Sequence, residues 1–301
     1  MKKGIYLVLA TAVISGFANF FNKFAMNASG KNAFQYTTLK NVIVALILSL
    51  IILLPMVLPK LKKLNKKDWG KLGLIGLFGG SIPFLLFFKG LSMTSAVNAS
   101  FIHKTLFIWV AILAWPVLKE KLSKFQFLAL GVLFLGNIIF IGFQGMTFGV
   151  AEAMILLATI FWAVENVIAK VFLDKIEPIV LGWGRMFFGS ILLVSFLFAT
   201  GNISGIMSIN LQQSAWLALA SLFLTGYVFS WYSALKYLPV TVTTSILVIA
   251  SPITTFLNTA FVTHQLPSQK VLGAFIILIG TIMIVTLNLS QGLIKRDAET
   301  S

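Results

Sequence analysis

Ionisable side chains interrupt several long apolar stretches of this sequence, where they could bind ions or move protons. His103 and Lys104 are adjacent in "FIHKTLFIW", and Glu165 lies in "WAVENVIAK". A histidine can take up and return protons near neutral pH, and an intramembrane carboxylate can carry a proton or balance a cation. The sequence contains no H-E-x-x-H motif, no G-x-S-x-G motif and no paired carboxylates. These residues therefore predict binding and proton movement, and no enzymatic activity.

The elements that carry these side chains are apolar runs long enough to cross a membrane. Of 301 residues, 58% are hydrophobic and 10% are charged, which is far from the composition of a soluble protein. A helix of roughly 20 residues crosses about 30 Å of hydrocarbon. The sequence predicts an all-α integral membrane protein with ten transmembrane helices, at about 4–26, 34–58, 72–92, 96–118, 125–143, 149–172, 179–200, 214–238, 241–262 and 269–289.

The first apolar run resembles a signal peptide, because two lysines precede it and Ala10-Thr11-Ala12 resembles a cleavage site. The apolar core between Gly4 and that site is too short for a signal peptide. We expect this segment to form the first transmembrane helix.

The basic residues are concentrated in alternate loops, which predicts the orientation of the chain. The net charge is +15, yet the loops on one side contain only Lys31 and Lys270. The positive-inside rule places both termini in the cytoplasm of a multi-pass cell-membrane protein, and no basic surface suited to nucleic acid remains outside the membrane. The residues on the cytoplasmic side are Lys2, Lys3, Lys60, Lys62, Lys63, Lys66, Lys67, Lys71, Lys119, Lys121, Lys124, Lys175, Lys236, Lys295 and Arg296.

The sequence contains an internal repeat. "FKGLSMTSAVNASFI" superposes on "YSALKYLPVTVTTSI" at an offset near 144 residues. Similar offsets relate Lys40 to Arg185, Asn19 to Asn166 and Lys23 to Lys170. Two five-helix repeats are predicted, at 1–143 and 149–290, followed by a short cytoplasmic tail at 291–301. Because five is odd, the second repeat must enter the membrane from the opposite side, which gives an inverted repeat.

Lysines within the apolar runs cannot all face lipid, since each would cost about 2.5–3.5 kcal/mol at mid-bilayer. Lys23, Lys40 and Lys89 lie near helix ends, where they can reach headgroup water or pair with other groups. Lys104 lies about 12 Å inside the fourth helix, so we expect it to line a watery cavity, with a structural partner as the alternative. His103 projects about 100° away from it. His103 either packs by hydrogen bonding to another helix or exchanges protons. Which of His103 and Lys104 faces the cavity stays open.

Polar and aromatic side chains at helical spacing extend this predicted cavity. Polar residues recur at three- and four-residue spacing on the first and ninth helices. They either line a pore or hydrogen-bond to neighbouring helices. Trp162 and Trp231 either stack on a planar solute or pack in the core. The complete set of cavity candidates is Asn19, Asn22, Ser100, His103, Lys104, Trp162, Glu165, Asn166, Tyr227, Trp231, Thr244, Ser251 and Asn258.

Structural and gating roles are predicted for a second group of residues. Lys40 and Arg185 are expected to hold helix ends, with solute binding as the alternative, and Lys23 and Lys170 to have a structural or gating role. Pro252 is expected to kink the ninth helix or act as its hinge. Glu165 has three explanations: a salt bridge to Lys104 or Lys170, a proton carrier, or the counter-charge of a cationic solute. Close helix packing is predicted along the glycines of the third helix, Gly73, Gly76, Gly79 and Gly80.

The order of several features in both halves resembles the drug/metabolite transporter superfamily, in its EamA-type branch. These features are the asparagine-to-lysine stretches of helices one and six, the basic residue early in helices two and seven, Ser251-Pro252, and "WPVLKEKLS" after helix four. The resemblance implies a five-plus-five inverted arrangement, a central cavity and outward movement of metabolites or drugs. Phe107 stands where relatives tend to carry proline, and Gln265 where they usually carry glutamate.

Together these observations predict a secondary transporter that exports a small solute by alternating access, with no cofactor and no metal ion. Its site is expected between helices one, three, four, six, eight and nine. An excess of basic residues favours amino-acid-like, zwitterionic or anionic metabolites. Proton coupling through Glu165 or His103 is a further prediction. Proton-coupled efflux of cationic drugs is the main alternative, and a passive channel, an intramembrane enzyme and a receptor or scaffold are more remote.

Overall fold

The computed structural model describes residues 2–94, 96–142, 148–206 and 209–300, apart from the side chains of a few residues that include Lys23, Ser100 and 291–300. Within these ranges ten helical segments are long and apolar enough to cross a membrane. They are α1 (Lys2–Ala28), α2 (Ala33–Ile52), α3 (Lys66–Leu91), α4 (Phe101–Leu118), α5 (Lys124–Ile141), α6 (Val150–Phe172), α7 (Pro178–Ala199), α8 (Leu211–Tyr237), α9 (Val240–Thr263) and α10 (Ser268–Ser290).

The prediction of ten helices is confirmed, and the differences in their bounds have local causes. The second helix ends at Ile52 and not at residue 58, shortly before Pro55. A separate short helix, Leu58–Lys62, occupies the basic loop. The third helix begins at Lys66 and not at residue 72, because Asn65 and Asp68 form a reciprocal capping box, with Asp68 N donating to Asn65 Oδ1 at 3.0 Å.

Helix α3 is interrupted by a π-helical turn, Gly76–Ser81, which packs closely on α7. A Cβ atom at Gly76 would lie 2.5 Å from the Phe188 side chain, and one at Gly80 would clash with the Arg185 carbonyl oxygen. The prediction of close glycine packing is therefore confirmed for this turn. It is wrong for Gly73, where a Cβ atom would meet open space.

Helices α4 and α9 are irregular at equivalent positions of the two repeats. The helix Ala96–Lys104, which runs into α4, is separated by Thr105 from the stretch Leu106–Leu118. In α9 a 3₁₀ turn, Leu247–Ile249, separates Val240–Ile246 from Ala250–Asn258. Pro252 lies in the first turn of the stretch that follows this 3₁₀ turn, where its missing N–H needs no partner. A kink or a hinge at Pro252 stays a prediction.

Contacts between the repeats place eight helices around the centre of the molecule. Helix α1 packs against α8 and α9, α2 against α7 and α8, and α3 and α4 against α6. Helices α5 and α10 pack on each other, where Gly136 and Gly273 let the two backbones approach closely. The remaining helices, α1–α4 and α6–α9, are therefore free to form a central site.

Candidate functional site

A cavity of about 170 Å³ lies between the two repeats, and four helices of each repeat contribute to its wall. The predicted helices one, three, four, six, eight and nine all line it, and α2 and α7 do so as well. Asn19 is exposed although it lines the cavity, which indicates that the cavity opens to the surface beside α1.

Most of the predicted cavity residues lie together in this wall. Nine of the thirteen candidates line it: Asn19, Asn22, His103, Lys104, Trp162, Glu165, Asn166, Tyr227 and Trp231. The side chain of Ser100 lies outside the described residues. The three candidates on α9, Thr244, Ser251 and Asn258, do not line the cavity, and Leu247 is the contribution of α9. Thr244 bonds instead to its own helix, its hydroxyl donating to the Val240 carbonyl at 3.0 Å.

Lys40 and Arg185 were expected to hold helix ends, but the structure places both in the cavity wall. Lys40 is 3% exposed, and its Nζ donates to Asn22 Oδ1 at 3.3 Å. Its ammonium lies 5.2 Å from the ring centroid of Phe88, and the Arg185 guanidinium lies 5.9 Å from that of Phe84. Cation–π contacts of this kind partly replace the water that these cations lose on burial.

Glu165 is engaged by neighbours that the sequence did not indicate. Tyr232 donates its hydroxyl hydrogen to the Glu165 carboxylate, and the charge of Arg185 acts on the same group. A Cβ atom at Gly79 would lie 2.5 Å from Glu165 Cγ and 3.0 Å from Arg185 Nε. Glycine at this position therefore allows the π-helical turn of α3 to pack directly against both charged groups.

The salt bridge from Glu165 to Lys104 or Lys170, one of its three explanations, is not found in the part of the chain that the structure describes. Lys170 Nζ donates instead to the carbonyl oxygens of Leu235 at 2.6 Å and Leu238 at 2.8 Å. A cation at the C-terminal carbonyls of a helix stabilises that end. Lys170 therefore contacts the C-terminal end of α8, and its structural or gating role stays a prediction.

Hydrogen bonds link three residues of the cavity wall, Trp162, Asn166 and Trp231. Trp231 Nε1 donates to Asn166 Oδ1 at 2.8 Å, and Asn166 Nδ2 donates to the Trp162 carbonyl at 2.8 Å. Trp162 Nε1 in turn donates to the Gly79 carbonyl at 3.2 Å. The two indoles therefore serve both as core packing and as cavity lining, and their orientation is fixed by these bonds.

His103 and Lys104 both line the cavity, which answers the question of which one faces it. The imidazole of His103 packs at 4.9 Å from Trp162 and 5.3 Å from Phe87, measured between ring centroids. Its buried Nδ1 has no hydrogen-bond partner in the described ranges, so the predicted bond to another helix is not found there. Lys104 is 8% exposed, and no ion-pair or hydrogen-bond partner of its ammonium occurs among the described residues.

Comparison with known proteins identifies the family. The profile of the EamA-like transporter family matches this chain twice, over residues 2–142 and 149–286. The chain belongs to the EamA-like transporter family. It is 24% identical over 314 residues to an uncharacterized transporter of Clostridium kluyveri, covering 100% of this chain and 99% of the relative. It is 28% identical over 230 residues to the uncharacterized transporter YyaM of Bacillus subtilis, covering 72% of each.

A solved crystal structure supports the fold of this EamA-family transporter. It superposes with a TM-score of 0.76 over 97% of this chain and 99% of that chain, at 14% sequence identity. The likeness at this identity concerns the fold alone. The double match of the family profile agrees with two repeats, and the chain is a multi-pass membrane transporter and not an enzyme.

Sequence reasoning missed several lining residues of this EamA-family transporter. Phe84, Phe87 and Phe88 of α3 line the cavity beside the charged groups. Their spacing of three and four residues places them on one face of a helix, and this signal was available in the sequence. Ser15 also lines the cavity, and it belongs to the polar stripe of the first helix.

Proposed function

We propose that this EamA-family transporter exports a small anionic or zwitterionic metabolite, such as an amino-acid-like solute, by alternating access around the central cavity. The observation that carries the proposal is the composition of the cavity wall. The wall contains three cationic side chains, those of Lys40, Lys104 and Arg185. Glu165 is the one carboxylate among the described lining residues, so the cations exceed the anions by two. A wall of this kind attracts negative charge and repels hydrophobic cations.

Alternating access is supported by the position of the cavity between the two repeats. The lining residues of the first repeat lie toward one end of the molecule, where α1 joins α2 and α3 joins α4: Asn19, Asn22, Lys40, Phe84, Phe87, Phe88, His103 and Lys104. By the positive-inside rule this end is the exterior. Because Asn19 is exposed on this part of α1, we infer that the cavity opens toward the outside in this conformation.

Hydrogen bonds join the two repeats at the predicted cytoplasmic end. The Glu120 carboxylate at the end of α4 accepts from Val240 N at 2.8 Å and from Thr241 Oγ1 at 2.9 Å, at the start of α9. Thr11 Oγ1 donates to Ser230 Oγ at 2.8 Å. A carboxylate at a helix N-terminus is stabilised by the orphan N–H groups and the helix dipole. Opening to the cytoplasm requires these bonds to break, as expected for rocking of inverted repeats.

Counterflow in proteoliposomes tests the proposal. Vesicles containing the purified transporter would be preloaded with a candidate solute and diluted into the same solute in labelled form, with protein-free vesicles as the control. Saturable accumulation of anionic or zwitterionic solutes is the expected result. Movement of hydrophobic cations alone would favour multidrug efflux, and unsaturable movement would favour a channel. An imposed pH gradient measures proton coupling in the same vesicles.

A further inference from the structure

We infer that the transported solute is a small organic carboxylate without an ammonium group, with its carboxylate at Lys104 and its apolar body against Trp162 and Phe87. The inference rests on the proposed function and narrows it, because an amino acid and its analogue without the amino group are both allowed by the proposal above. The geometry of the cavity distinguishes between the two.

Lys104 is the cation that needs a partner. The ammonium of Lys40 has Asn22 Oδ1 and the rings of Tyr36 and Phe88 around it. Arg185 lies near the Glu165 carboxylate and over Phe84, although its buried Nε has no hydrogen-bond partner among the described residues. Lys104 is buried to the same degree as these groups, yet the described side chains offer it no anion and no hydrogen-bond acceptor. Its ammonium therefore faces the cavity, where a carboxylate of the solute supplies the partner that a partly desolvated charge needs.

An ammonium group on the solute would find no free carboxylate among the described lining residues. The carboxylate of Glu165 already accepts from Tyr232 and faces Arg185. Asn22 Oδ1 accepts from Tyr36 at 2.7 Å as well as from Lys40, and Asn166 Oδ1 accepts from Trp231. The acceptors named here are occupied, other polar lining groups such as Asn19 are neutral, and the charge of the wall stays positive. An α-amino acid would bring its ammonium group into this positive wall with no free carboxylate among the described lining residues to compensate for the lost hydration.

The size and the rings of the cavity set the body of the solute. Its volume of about 170 Å³ is close to that of an apolar cavity of about 150 Å³ that holds benzene. Phe87 and Trp162 lie 5.5 Å apart between ring centroids, and Phe84 meets Trp162 edge-on at 5.4 Å. Aromatic walls of this kind bind one flat ring or a short branched chain. A single-ring or branched-chain carboxylate fits both the volume and the charge.

Matched pairs of solutes test the inference. We would compare 3-phenylpropanoate with phenylalanine, and 4-methylpentanoate with leucine, because each pair differs only in the ammonium group. Thermal stabilisation of the purified transporter and counterflow would be measured at pH 8, with protein-free vesicles to correct for diffusion of the neutral acids. Half-saturation at least tenfold lower for the carboxylates is expected. Equal or tighter binding of the amino acids overturns the inference and leaves the proposed function standing. Failure of every solute to bind and to be exchanged overturns both.

A charge-specific variant separates binding at Lys104 from a structural role. Lys104→Met keeps the length of the side chain and removes its charge, whereas Lys89→Met is the matched control on the exposed end of α3. Lys104→Met is expected to raise the half-saturation for 3-phenylpropanoate at least tenfold, Lys104→Arg to restore part of the affinity, and Lys89→Met to change nothing. The neutral analogue 3-phenylpropanamide should bind Lys104→Met and the wild type equally. An equal loss for the amide and the carboxylate would overturn the assignment of Lys104 as the anion-binding residue.

Discussion

Lys40 and Arg185 occupy repeat-related positions on α2 and α7, and their cationic groups lie over two stacked rings of the same helix. Lys40 lies over Phe88 and Arg185 over Phe84, and the two rings stack at 6.4 Å between centroids. The rings are one helical turn apart on α3. The two repeat-related cations thus lie over adjacent stacked rings of α3. This placement concentrates positive charge in the cavity instead of dispersing it at the helix ends.

Substitution of Gly79 by alanine is expected to destabilise the transporter. The added Cβ atom would lie 2.5 Å from Glu165 Cγ and 3.0 Å from Arg185 Nε, and overpacking of this kind costs about 1–3 kcal/mol. The control is Gly73→Ala on the same helix, where the Cβ atom meets open space and alanine favours the helix by about 1 kcal/mol. Thermal unfolding in detergent measures both variants. Equal melting temperatures for the two would contradict the close packing of the π-helical turn.

Glu165 and Arg185 are expected to depend on each other energetically. Glu165→Gln leaves the buried Arg185 charge without its counter-charge, and Arg185→Gln does the same to Glu165, so each single variant should lose about 3 kcal/mol of stability. The double variant should recover part of that loss, because neither charge is then left alone. The melting temperatures of the four proteins give the coupling. Strict additivity would argue against a charge pair. Loss of the pH dependence of counterflow in Glu165→Gln, with unchanged melting, would identify Glu165 as a proton carrier.

Removal of the Glu120 carboxylate is expected to loosen the cytoplasmic end. Glu120→Ala leaves Val240 N and Thr241 N at the start of α9 without an acceptor, which costs about 1 kcal/mol. The sequence contains no cysteine, so a single Thr244→Cys reports access to this end without background. We expect a membrane-impermeant maleimide to label it severalfold faster from the cytoplasmic side in Glu120→Ala. Glu177→Ala, which breaks only an exposed ion pair with Lys236, is the control and should leave the labelling rate unchanged.

The orientation of the chain can be tested with the same cysteine-free background. Lys62→Cys and Lys270→Cys lie in loops on opposite sides of the predicted topology. In intact cells an impermeant maleimide should label residue 270 and spare residue 62 until the membrane is permeabilised. Labelling of residue 62 in intact cells would reverse the orientation, and with it the side to which the cavity opens.

Much of the fold could be predicted from the sequence, because it depends on local properties of the chain. The length and apolarity of a run decide whether a helix crosses the bilayer, so all ten helices were identifiable. The repeat is a comparison of the sequence with itself. Three sequence features together indicated a central polar site: the repeat, the lysine deep inside helix four and the single deep acid. Nine of the thirteen cavity candidates line the cavity for this reason.

Tertiary structure decided which polar side chains the cavity includes, because a polar side chain in a helix can be satisfied in more than one way. Thr243, Thr244 and Ser245 of α9 donate to carbonyls of their own helix, so their polarity does not require a cavity. The charged groups of Lys40 and Arg185 could have reached headgroup water from the helix ends. Only the packing of α2 and α7 around the rings of α3 turned these two cations inward.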